Sequence, residues 1–138
     1  DAVIQTWVER VYEHADKALA TEGDARARLM AWFEEYLGML TAHKGAAALI
    51  TCAFGDVESP IKNKCQVYAM ANERVIDKLR EEGALREGTN GLEVARLVGG
   101  VATIADQGAL RIEDVRGMLD VIAYGLLKEG EVPAEASA

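Results

Sequence analysis

Apolar residues recur at three- and four-residue spacing through most of this chain, a periodicity that suits helices and leaves little room for strands. The first segment, about Ala2 to Leu19, places Ile4, Trp7, Val8, Val11, Ala15, Ala18 and Leu19 on one stripe. Gly23 and Asp24 break it and cap the next. The second runs from about Ala25 to His43, with Leu29, Trp32, Phe33, Tyr36, Leu37 and Leu40 on one side. His43 and Lys44 set positive charge against its dipole, and Gly45 can then turn left-handed. β-branched residues alternate with polar ones over no useful stretch, which argues against a sheet.

Four more helices follow. The third, Ala46 to Phe54, is almost wholly apolar, ends at Gly55-Asp56, and should be buried or line a cavity. Ser59-Pro60 starts the fourth, since serine can accept free amide protons and proline lacks one to offer. It reaches about Glu82, presents Ile61, Cys65, Tyr68, Asn72, Val75 and Leu79 on one face, and closes at Gly83. Asn90 and Glu93 form a capping-box-like start to the fifth, which is apolar nearly all round, as is the sixth, Ile112 to Lys128. The expected fold is all-α: an antiparallel helical bundle of about six helices in one domain, residues 1–130, with a disordered polar tail at 131–138.

Length and charge narrow the class. At 138 residues the chain suits one domain with a real core. Fifteen basic against 23 acidic residues give a net charge of −8, so the domain alone is a poor nucleic-acid binder. No apolar run approaches the roughly 18–20 residues a membrane span needs, and no signal segment opens the chain. The expectation is a cytoplasmic protein without a membrane partner, in which Cys52 and Cys65 pack as reduced thiols. The chain lacks an initiator methionine and enters a helix at once. That reads as a piece of something longer, or else as a processed small protein.

Catalytic patterns are missing from the spacing. Glu13 and His14 are adjacent, and Glu34, Glu35 and His43 are wrongly placed for a di-metal Glu-x-x-His pair. A zinc site from Cys52, Cys65 and His43 needs a fourth ligand. Gly99-Gly100 lies inside a helix rather than after a strand, so it is no phosphate loop. No cofactor or metal is expected, and redox sensing by either cysteine is a minor alternative.

Polar and soft residues are instead scattered among apolar faces, as a small-molecule pocket requires. They are Trp32, Tyr36 and Met39 on the second helix, and Thr51, Cys52 and Phe54 on the third. Cys65, Tyr68 and Asn72 follow on the fourth, and Thr103 on the fifth. Each can equally be ordinary core. Asn72 is the most informative, because a buried amide must bond either a ligand or a group across the bundle. No arginine sits plainly on an inward face, which disfavours an anionic ligand.

Two C-terminal helices that are apolar on more than one side need a partner, and a second copy is the simplest. The candidate interface is Gly100, Ile104, Gly117, Met118, Val121, Ile122 and Tyr124, where glycines permit close approach. Close packing within one subunit is the other reading.

The stretch from Glu82 to Gly100, EGALREGTNGLEVARLVGG, together with Met30–Tyr36 and Thr41–Gly45, resembles the C-terminal half of TetR-family transcriptional regulators. The loop departs from the family in carrying Gly88, Thr89 and Asn90 where aspartate is usual. The resemblance implies a homodimer through the last two helices and a pocket walled by the first to fifth. It also implies a small lipophilic or aromatic effector whose binding shifts the first helix. Operator DNA would then be released by an N-terminal helix-turn-helix domain absent from this sequence. The competing reading is a helical protein–protein interaction module without a small-molecule site.

Overall fold

Helix α2 (Ala25–Leu40) touches each of the other five helices and forms the middle of the fold. Leu29, Trp32, Phe33, Tyr36, Leu37 and Leu40, its expected inner stripe, are all buried. Full burial of each such side chain contributes about 1.5–3 kcal/mol before ordering costs. The computed structural model describes residues 2–52 and 62–131, with side chains at all of these except Val3, Ile4, Thr51, Cys52, Lys62, Asn63 and Glu131.

Around α2 lie α1 (Ala2–Leu19), α3 (Ala46–Cys52), α4 (Lys62–Glu81), α5 (Gly91–Gln107) and α6 (Ile112–Leu126), followed by a 3₁₀ turn at Glu129–Glu131. The chain is the all-helical bundle that the periodicity predicts. α1 inserts Val11, Ala15 and Ala18; α4 inserts Cys65, Tyr68, Ala71, Asn72, Val75, Ile76 and Leu79. The predicted start of α4 at Ser59-Pro60, with Ile61, lies outside the described residues, as do Phe54, Gly55-Asp56 and the tail beyond Glu131.

Two caps form where the sequence places them. The Asp24 carboxylate accepts from the Ala27 amide at 2.9 Å, and Gly23 before it has φ +126°. The Asn90 side chain accepts from the Leu92 and Glu93 amides at 2.9 and 3.1 Å.

Two helix ends come earlier than predicted. α2 stops at Leu40 rather than His43: Thr41 leaves helical geometry at φ −96° and ψ 4°, while its amide and hydroxyl both still donate to the Leu37 carbonyl. Gly45 does turn left-handed, at φ +84°. Its amide donates to the Asp106 carboxylate at 2.8 Å, while Lys44 Nζ donates to the Asp106 carbonyl at 2.6 Å. The positive charge therefore serves the C-terminus of α5, not that of α2.

α6 stops at Leu126 rather than Lys128. Leu127 adopts an extended conformation and pairs antiparallel with Leu85 in the α4–α5 connection. Arg86 N donates to Leu126 O and Lys128 N to Ala84 O, so the end of α6 is clamped to that loop. Both leucines are buried, which is what holds the extended conformation in place.

Candidate functional site

Four of the predicted pocket residues meet between α2 and α4. Trp32 and Tyr36 stack with ring centroids 5.1 Å apart, and Tyr36 stacks on Tyr68 at 6.0 Å. Trp7 of α1 closes the column with an edge-on contact to Tyr68 at 5.5 Å. Asn72 lies fully buried at the inner end, where its Oδ1 accepts from the Trp32 indole at 2.9 Å. Its Nδ2 donates to the Gly91 carbonyl at 2.8 Å. Of the two partners open to Asn72, the structure supplies groups across the bundle: a side chain of α2 and the first carbonyl of α5.

A Cβ on Gly91 would meet only the Glu73 carboxylate, the far end of a flexible side chain.

Cys65 donates its Sγ–H to the Ile50 carbonyl at 3.1 Å, tying α4 to α3. It is a free, buried thiol, and burial pushes its pKa up, away from the reactive thiolate. Tyr36 differs from its neighbours: its hydroxyl is buried without a hydrogen-bond partner among the described residues. Burial, reinforced by Tyr68 and Cys65, drives that hydroxyl far above the usual tyrosine range. Burial raises Tyr68 as well, opposed by a hydrogen bond with Trp7.

The remaining predicted residues are placed differently. Thr103 turns its hydroxyl back to the Gly99 carbonyl at 2.8 Å and is part-buried. The side chains of Thr51 and Cys52, and all of Phe54, lie outside the described residues. Met39 is half-buried at the edge of a cleft of about 390 Å³, between α1, the end of α2 and the start of α4.

Tyr68 and Trp7 form the aromatic wall of this cleft, with Val11 and Ala42 beside them. Arg10, His14, His43 and Lys64 provide its polar lining, and Lys64 Nζ lies 5.7 Å from the Trp7 ring centroid. Arg10 follows Trp7 by three residues and shares its helix face, and it stands exposed at this cleft rather than turned into the core. That spacing was readable. The approach of His43 and Lys64 was not, because it depends on how two helix ends cross.

On the opposite helices, the predicted contact residues split into two groups. Ile104 (53% exposed), Met118 and Val121 (72% exposed) are apolar yet open to solvent. A Cβ added at Gly100 or Gly117 would meet nothing within 4 Å, so neither glycine is required by packing inside one subunit. Ile122 packs partly on the core, and the Tyr124 ring lies under the Arg26 guanidinium at 5.5 Å.

Among the described residues, no group of three or more His, Cys, Asp or Glu is placed to hold a metal ion. No described helix is long and apolar enough to cross a membrane.

Residues 24–128, from the cap of α2 to the clamp after α6, match the model of the SbtR-like transcriptional regulator C-terminal domain, a TetR-type C-terminal domain. The chain belongs to that family. No curated protein and no solved structure matches the chain. As a TetR-family C-terminal domain it is a regulator module, of a kind that typically dimerises and works with DNA and ligands. The matched segment includes Trp32, Tyr36 and Tyr68 of the aromatic column and the α5–α6 face; it starts after α1, so Trp7 lies outside it.

Proposed function

We propose that this chain is the effector-sensing and dimerisation part of a TetR-type repressor. In this reading two copies join through α5 and α6. A small lipophilic or aromatic effector beside Trp7, Met39 and Tyr68 shifts α1, and operator DNA is released from helix-turn-helix domains carried by a longer parent.

The observation that carries the reading is the α5–α6 face. Ile104, Met118 and Val121 stand exposed beside glycines that no packing within the subunit needs. Exposed apolar residues of this kind mark interaction surfaces, and a two-fold contact lets one sequence bury itself. The effector half draws support from the cleft of about 390 Å³ that Trp7 and Tyr68 wall and Met39 edges, an apolar surface with polar groups at its rim.

Asn72 favours a second reading, in which the domain binds another protein and no small molecule. Both ends of its amide already bond protein groups, as in a filled core.

Sedimentation at micromolar concentration should give a dimer; a clean monomer removes the dimerisation half. A thermal-shift screen with lipophilic and aromatic compounds should find ligands that raise the melting temperature. If no compound does, the protein-binding reading stands instead.

A further inference from the structure

The cleft beside Trp7 has a charge character opposite to that of the chain. The protein carries a net charge of −8, yet no acidic side chain lines this cleft, whereas Arg10, Lys64, His14 and His43 do. Four arginines elsewhere meet carboxylates across the bundle: Arg26 with Asp120, Arg28 with Glu82, Arg74 with Asp16 and Arg116 with Glu34. Arg10 and Lys64 have no carboxylate within ion-pair distance among the described residues, and Lys64 rests on the Trp7 ring instead. Two acids line the adjoining groove and both are paired: Glu35 with His14 at 2.6 Å and with Lys17 at 3.2 Å, and Glu34 with Arg116 at 2.6 Å.

We infer that this cleft selects an organic anion, a carboxylate carried on an aromatic or alkyl body, held at Arg10 and Lys64 with its body against Trp7, Met39 and Tyr68. The inference rests on the effector reading above and narrows it from lipophilic compounds in general to amphiphilic acids. A volume of about 390 Å³ accommodates a two-ring or medium-chain acid. The aromatic wall supplies apolar contact, and the two cations discriminate the charged head from a neutral one. Because both cations are solvent-exposed, each contributes modestly, and their effect is screened by salt. A fragment of duplex DNA is a poorer fit, since two cations on a chain of net charge −8 offer few phosphate contacts.

The test is calorimetric titration of this chain with 2-naphthoate and decanoate, each against its neutral carboxamide. The acids should bind about tenfold more tightly than the amides, with the preference shrinking as salt rises. Arg10→Gln and Lys64→Gln should each weaken acid binding about three- to fivefold and leave the amides unchanged. Arg10→Lys and Lys64→Arg should restore most of it. Equal binding of acid and amide, or a preference that survives both glutamine substitutions, overturns the anion inference while leaving the effector reading intact. Failure of all four compounds to bind overturns both. Retention of a short DNA duplex that the glutamine variants lose would assign the cations to phosphate contact and also overturn it.

Discussion

Tyr36 and Asn72 are neighbours of Trp32 with opposite energetics. The Asn72 amide bonds the Trp32 indole and the Gly91 carbonyl, whereas the Tyr36 hydroxyl bonds nothing among the described residues. Truncating Asn72→Ala strands two buried groups and opens a cavity, and should lower unfolding free energy by about 2–4 kcal/mol in urea denaturation. Tyr36→Phe removes a group that was already unsatisfied, so it should raise stability by about 1 kcal/mol in the same measurement. A loss on Tyr36→Phe would mean that the hydroxyl has a partner. The same hydroxyl sets an alkaline limit. Below pH about 10 it is protonated in both folded and unfolded chains and contributes no pH dependence. Above that, the unfolded chain ionises and the folded one does not. Stability should then fall by about 1.4 kcal/mol per pH unit from this residue, and Tyr36→Phe should flatten that limb.

At the scale of elements, α5 and α6 each divide into an inner stripe and an outer one. Val115, Leu119 and Ala123 of α6 are buried, while Val121 and Met118 are exposed. Since Val121 is 72% exposed in the subunit, Val121→Glu should leave the helical circular dichroism of the domain intact while dissociating the proposed dimer in sedimentation. Gly117→Leu should act in the same direction by holding the two helices apart. A dimer unaffected by both substitutions would place the interface elsewhere. Helix ends show where local signals fail. Asp24 and Asn90 cap where the sequence places them, because each bonds amides two or three residues away. Lys44 follows a helix but serves Asp106 of another, a partner 62 residues along the chain.

For the whole molecule, ion pairs link elements distant in sequence. Arg26–Asp120 and Glu34–Arg116 fasten α6 to α2, and Asp16–Arg74 joins α1 to α4. Trp7, Arg10, Val11 and His14 of α1 line the cleft, so a ligand there acts on the helix that the proposed mechanism moves. In a parent carrying the DNA-binding domain, effector and operator should weaken each other by the same factor. Parallel titrations, effector with and without operator and operator with and without effector, check this. Unequal factors or independent binding would exclude the coupled mechanism.

The sequence alone determined the six helices, the inner stripe of α2, two caps and the family resemblance. All of these follow from spacings of a few residues, which a helix turns directly into a shared face. The end of α6 at Leu126, the partners of Asn72 and the grouping of Arg10 with His43 and Lys64 were decided only by tertiary structure. Each depends on which helix ends cross, and crossing is fixed by packing across the bundle rather than by the periodicity of any one segment.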